Sequence, residues 1–189
     1  MEPVIVGQEI AHKGYLTIRR LRVRQADGAV VTREVESHGD AAAVLPYDAG
    51  RRVGMVVRLF RPAVLQAAGQ PWLEEACAGM IEAGEAAEAT ALREAREEFG
   101  VELRALEPVA RTWASPGVST ERIALFLAAY DPAARTGPGG GLASEHEMIT
   151  VVERPLAELA GEADRGQIAD AKLLILVLAL RLRRPELFG

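Results

Sequence analysis

The sequence predicts a layered α/β domain preceded by a small antiparallel β-sheet. Three observations carry this. Apolar runs of strand length, several alternating with period two, fill the first 60 residues and return at 123–130 and 149–152. A glutamate-rich stretch at 86–99 has helical spacing. The last apolar run, within 169–183, is nearly continuous, as in a helix buried on most sides. Strands interleaved with a few helices and closed by a packing helix form layers around one core.

The elements follow in order. Residues 1–46 read as short strands. Positions 15–24 (YLTIRRLRVR) and 29–35 alternate apolar and polar around Ala26-Asp27-Gly28, which predicts a hairpin. So small a sheet is marginal alone and must pack on the main domain or on a second subunit. Runs 41–45 and 53–60 flank Tyr47-Asp48-Ala49-Gly50, a second hairpin. Residues 62–71 hold two prolines and Gly69 and read as a loop, and 72–78 reads as a short strand. Beyond the helix, 101–110 is extended, Ser115-Pro116-Gly117 marks a loop and 123–130 reads as a buried strand. The run TGPGGG at 136–141 is expected to be the most flexible stretch. It is not a phosphate cradle, since no Lys-Ser/Thr follows and no helix starts there. A strand at 149–152, a short helix at 155–160 and the long helix complete the chain. The expected division is an N-terminal β domain, 1–46, and a main domain, 47–189.

Composition narrows the function. A chain of 189 residues with net charge −5 lacks the basic surface of a general nucleic-acid binder. The lone cysteine, Cys77, excludes an internal disulfide framework and a thiolate-rich zinc site. The longest apolar run, 173–180, is too short to span a membrane, so no membrane partner is expected. The start MEPVIVGQEI is acidic, unlike a secretion signal, and predicts a cytoplasmic protein.

The chemistry sits in 79–101, GMIEAGEAAEATALREAREEFGV, with six acidic residues, two arginines and three glycines. Glu94, Glu97 and Glu98 fall at i, i+3 and i+4, so their carboxylates share one helix face and repel. A cation among them relieves that repulsion, and oxygen-only ligands favour a hard ion such as Mg²⁺ or Mn²⁺. Gly79 is expected to permit an unusual backbone angle where a strand leaves its sheet. Gly84 does the same in the loop, and Gly100 supplies a left-handed helix cap. Arg93 and Glu97, one turn apart, can pair and so orient a carboxylate.

The order of Gly79, Glu85, Arg93-Glu94, Ala95, Glu97-Glu98, Gly100 and Val101 resembles the Nudix box with no position missing. The rest of the chain resembles the ADP-ribose pyrophosphatase branch of that family. Pro116 stands fifteen residues past Val101, as a proline does in that branch. VRLFRP at 57–62 resembles the branch's V-R-Q-Y-R-P, WLEEACAG at 72–79 resembles W-L-L-E-L-P-A-G, and Arg33-Glu34-Val35 resembles R-E-V. Leu59, Ala76 and Cys77 depart from the pattern; none is a box carboxylate, so they bear on substrate choice more than on chemistry.

The resemblance implies an α/β/α sandwich on a mixed sheet, behind an N-terminal β-sheet domain through which such proteins form domain-swapped homodimers. It implies Glu94, Glu98 and the Ala78 carbonyl as metal ligands, with Glu97 sharing a metal or orienting one beside Arg93. It implies a general base at Glu145 or Glu147. Arg61 would meet a phosphate, Glu75 a base edge or an outer metal, Arg33 and Glu34 the partner's site, and Pro116 the substrate. The implied reaction is Mg²⁺-dependent cleavage of a nucleoside diphosphate sugar, foremost ADP-ribose to AMP and ribose 5-phosphate. The alternative substrates are GDP-mannose or a UDP-sugar. A reading of another class is a nucleotide-sensing module without catalysis, but its usual marks, damaged glutamates and an attached DNA-binding segment, are not seen here.

Overall fold

The computed structural model describes residues 1–141 and 148–189. The chain forms two compact units, Met1–Asp40 with Arg111–Ile123, and Ala41–Ala110 with Ala124–Gly189. The first unit thus ends its N-terminal part at Asp40 and includes a later segment of the chain. Position 46 lies inside a strand, Ala41–Asp48, whose eight residues are all buried.

In the first unit, β1 (Val4–Lys13), β2 (Thr17–Arg24) and β3 (Val30–Ser37) form an antiparallel sheet in that order. The expected hairpin is β2–β3, closed by Gly28 in the left-handed region and by the Ala29 N–H donated to Asp27 at 3.0 Å. No residue of the three strands is buried. The Glu36 N–H donates to the Val118 carbonyl at 2.8 Å and the Thr120 N–H to the Glu36 carbonyl at 3.1 Å, fastening the Pro116 loop to β3.

The main sheet runs β10-β5-β4-β9-β8, with β6 on β5 and β7 on β4. Its strands are β4 (Ala41–Asp48), β5 (Val53–Phe60), β6 (Trp72–Glu75), β7 (Cys77–Met80), β8 (Glu107–Trp113), β9 (Arg122–Ala129) and β10 (Thr150–Pro155). Arg122 donates its N–H to Asp40 at the start of β9, and Tyr130 donates its N–H to the Tyr47 carbonyl at the end. Neighbours that start and end together run parallel, so the sheet is mixed. Helices cover both faces. Ala42, Val44, Met55 and Val57 pack with Ala91, Ala95 and Phe99 of α2 (Ala87–Phe99). On the other face, a methyl carbon on Gly54 would meet Leu156 and Leu159 of α3 (Leu156–Asp164) and Leu45 of β4 at 3.3–3.5 Å. There α4 (Ala171–Arg183) packs on β4.

Two expectations need correction. Residues 62–71 are not all loop: α1 (Pro62–Ala68) starts with proline in its first turn and ends at Gly69, φ 70°. Those are helix start and stop signals. The final helix is also less enclosed than its composition suggests, since Leu178 and Leu182 are exposed. No helix among the described residues is long and apolar enough to cross a membrane.

Candidate active site

Three pieces of chain meet around the box: strand β7, the loop 81–86 and helix α2. β7 lies antiparallel to β4, with Ala78 opposite Ala43 and Gly79 opposite Ala42. The helix presses on this corner through small residues. Ala91 and Ala95, one turn apart, are both fully buried, which lets the helix backbone approach the sheet. Gly100 ends the helix at φ 66°, its N–H satisfying the last turn, as expected for a left-handed cap.

Gly79 serves a different purpose from the expected one. Its φ is not in the left-handed region. What matters is the missing side chain: a methyl carbon there would fall 1.7 Å from Oε1 of Glu94. The Glu94 carboxylate occupies the notch that glycine leaves, one residue from the Ala78 carbonyl. Gly84, at φ 84°, does supply the predicted turn.

Arg93 holds the three pieces together. Its Nη1 donates to Glu94 at 2.6 Å and to Glu97 at 3.1 Å, and its Nη2 donates to the Met80 carbonyl at 3.2 Å. Nε and Nη2 both reach Glu85 at 3.3 Å. Thr90 adds a hydroxyl donated to Glu85 at 2.8 Å. The Arg93 hydrogen bonds foremost, then Thr90, pull the Glu85 carboxyl down to about 2. The expected Arg93–Glu97 pair is present, but Arg93 also binds Glu94, Glu85 and a strand carbonyl. Glu98 is 4% exposed and is buried along α2 with Thr90, Ala91, Ala95 and Phe99.

The glycine run is tied to this helix. The Gly140 N–H donates to the Glu98 carbonyl at 2.8 Å, the Gly141 N–H to the Glu97 carbonyl at 3.2 Å and the Thr136 N–H to the Gly100 carbonyl at 2.7 Å. These bonds satisfy carbonyls that a helix end leaves open. The approach is close because the residues are glycines: a methyl carbon on Gly139 would sit 2.2 Å from the Glu98 carbonyl oxygen. Glu145 and Glu147 lie outside the described residues.

A second charged cluster includes Arg61. Its Nε donates to Glu75 at 2.6 Å and its Nη2 at 3.1 Å. Glu75 is 3% exposed and also receives Lys172 Nζ at 3.0 Å. Burial pushes the Glu75 carboxyl up, but the hydrogen bonds from Arg61 and the charges of Lys172 and Arg61 more than reverse it. Sequence reading missed Lys172 and its neighbour Asp170; the available signal was an Asp cap opening the final helix. Arg33 and Glu34 lie on β3 in the first unit, where Glu34 accepts from Arg20 at 3.4 Å and Arg33 donates to the Thr32 carbonyl. Pro116 lies in the turn that β3 fastens.

Among the described residues, no three His, Cys, Asp or Glu side chains are gathered around one point as metal ligands. The cation between Glu85, Glu94 and Glu97 is the Arg93 guanidinium. The donor set nonetheless suits a divalent metal: Glu94, Glu97, Glu98 and the Ala78 carbonyl offer only oxygen, which hard ions prefer. The notch at Gly79 admits the Glu94 carboxylate to the strand where that carbonyl lies.

The NUDIX domain family matches residues 37–176. This chain belongs to the Nudix family. The Nudix chain is 38% identical over 185 residues to a GDP-mannose pyrophosphatase of Cronobacter sakazakii, covering 95% of each. It is 36% identical over 155 residues to an ADP-ribose pyrophosphatase of Haemophilus influenzae, covering 78% of this chain and 71% of the relative. It is 34% identical over 188 residues to an ADP-ribose pyrophosphatase of Escherichia coli K12, covering 97% and 90%. A solved structure described as an ADP compounds hydrolase superposes with a TM-score of 0.79, at 16% identity, over 98% of this chain and 96% of its own. The Nudix fold expected from the sequence, a helix-covered mixed sheet behind a small antiparallel sheet, is thus the observed one.

Proposed function

We propose that this Nudix protein hydrolyses the diphosphate bond of a nucleoside diphosphate sugar, with ADP-ribose, giving AMP and ribose 5-phosphate, as its leading substrate. One observation carries the reading: an intact set of box carboxylates, with Glu94 in the Gly79 notch and Arg93 binding Glu85, Glu94 and Glu97. A nucleotide sensor has no need of such a set. The full-length likeness to a GDP-mannose pyrophosphatase gives GDP-mannose standing as the second substrate.

Glu94, Glu98 and the Ala78 carbonyl would hold Mg²⁺ or Mn²⁺, with Glu97 beside them. Bound there, such an ion would supply charge neutralisation for the diphosphate and a lowered pKa for the attacking water. The chain's own part is positioning. Arg93 fixes Glu94 and Glu97 against the strand end, which limits reorganisation during the reaction. Arg61, half exposed, offers its guanidinium to a phosphate. Proton removal from water falls to Glu145 or Glu147.

The first unit is proposed to form a domain-swapped homodimer, with Arg33 and Glu34 serving the partner's site and Pro116 the substrate. A three-stranded sheet with no buried residue, carrying Ile5 and Ile10 more than half exposed, supports this. Light scattering on the full chain should return twice the 20.3 kDa monomer mass.

The substrate test is product analysis with Mg²⁺ on ADP-ribose, GDP-mannose, UDP-glucose and a nucleoside triphosphate. AMP and ribose 5-phosphate from ADP-ribose, in preference to the others, is the expected result. Preference for GDP-mannose would move the substrate and keep the chemistry. Binding without turnover of any would overturn the enzyme reading in favour of a sensor.

A further inference from the structure

The Arg61 cluster extends into the fold. Asp170 caps α4, accepting the Lys172 N–H at 3.2 Å and the Leu173 N–H at 3.1 Å. The same carboxylate accepts the Ala76 N–H at 3.0 Å. Ala76 is where the chain passes from β6, paired with β5, to β7, paired with β4. Asp170 thereby satisfies an N–H that neither ladder uses, two residues before Ala78. Lys172 Nζ joins Asp170 at 2.8 Å to Glu75, and Glu75 grips one edge of Arg61. Both carboxylates are buried, Asp170 at 6% exposed and Glu75 at 4%, Lys172 between them is 18% exposed, and Arg61 at the end of the chain is 44% exposed.

A buried ion cluster is weak as a stability device, because desolvation offsets most of the attraction and apolar residues of equal size do as well. This one has a direction. The negative charge of Asp170 is met by three backbone N–H groups and by the positive end of α4. Lys172 therefore keeps positive charge to share with Glu75. Glu75, divided between two cations, orients Arg61 without neutralising it alone. The remaining guanidinium edge, with Nη1, makes no hydrogen bond among the described residues.

We infer that Lys172 and Asp170 are positioning residues: through Glu75 they aim the Arg61 guanidinium at the diphosphate of the substrate. Glu75 is then a holder of Arg61, not a ligand for a base or a metal. The inference rests on the proposed reading that Arg61 meets that diphosphate.

The test is a double-mutant cycle on the full-length protein with ADP-ribose and GDP-mannose, reading KM and kcat separately. Arg61→Ala should raise KM by at least about tenfold. Lys172→Met should raise KM about tenfold with kcat little changed, and Lys172→Arg should restore most of it. In the Arg61→Ala background, Lys172→Met should change KM by less than about twofold. An equal factor in both backgrounds would overturn the inference and make Lys172 a direct substrate contact or a general fold element. If Arg61→Ala leaves KM unchanged while Glu98→Gln still abolishes turnover, the assignment of Arg61 fails and the metal reading survives. Should Lys172→Met unfold, Glu75→Gln in the same cycle asks the same question.

Discussion

Replacing Gly79 by alanine tests the site without altering a single carboxylate. The added methyl carbon would lie 1.7 Å from Oε1 of Glu94, 2.1 Å from Cδ and 2.7 Å from Cγ. Ordinary contact begins near 3.4 Å, so the carboxylate must retreat by about 1.7 Å. Metal–ligand distances tolerate only about 0.2 Å, and misplacing a reacting group by about 1 Å costs on the order of 100-fold in rate. Gly79→Ala should therefore lower kcat/KM by about 100-fold and weaken Mn²⁺ binding measured by calorimetry. Stability should fall by no more than about 3 kcal/mol: the Gly79 φ is outside the left-handed region, so alanine adds no backbone strain there, and the cost is the overpacking against Glu94, about 1–3 kcal/mol. Circular-dichroism melts alongside steady-state kinetics separate the two effects. Activity within about threefold of wild type would refute the claim that Glu94 works from the Gly79 notch.

Three further sets of variants bear on the proposed site. Arg93→Met removes the ties to Glu85, Glu94, Glu97 and the Met80 carbonyl and should lower kcat by at least about 100-fold, measured at saturating metal. The same substitution should flatten the acid limb of stability. The Glu85 carboxyl is held at about 2, below its ordinary value, so its contribution is complete above the ordinary carboxylate range and lost as pH falls through that depressed value. Melting temperatures from pH 6 to pH 2 should converge between wild type and Arg93→Met at the acid end. Gly139→Ala places a methyl carbon 2.2 Å from the Glu98 carbonyl oxygen at φ +71° and should cost about 1–3 kcal/mol by calorimetry. Gly137→Ala, with nothing within 4 Å of the new carbon, should be silent. Of Glu145→Gln and Glu147→Gln, the one that removes the general base should lower kcat by about 100-fold or more without changing metal binding.

The sequence revealed what depends on short spacing. The three box carboxylates, the Arg93–Glu97 pair, the Gly100 cap, the β2–β3 hairpin and the buried strand β9 all follow from residues within a few positions of one another. What escaped depends on distant parts of the chain meeting. Asp170 reaches Ala76 across 94 positions and Lys172 reaches Glu75 across 97, and no local periodicity records such a meeting. The glycine run looked loose because glycine lowers local order, yet its missing side chains let it lie against the carbonyls of Glu97 and Glu98. Gly79 is legible in the sequence as a box position, but its role is steric room for Glu94, which only the approach of α2 to β7 reveals. Helix α1 is hidden by the two prolines of 62–71, although Pro62 and Gly69 are its start and stop signals.

The carboxylates of α2 are proposed to bind a divalent ion that supports cleavage of a nucleoside diphosphate sugar. AMP release from ADP-ribose as Mg²⁺ is titrated, for wild type and for Glu98→Gln, decides it. That substitution keeps size and removes one charge. Turnover should require the metal and fall by about 1,000-fold or more in the variant, with an unchanged melting temperature without metal. Turnover by Glu98→Gln with the wild-type metal dependence would contradict it.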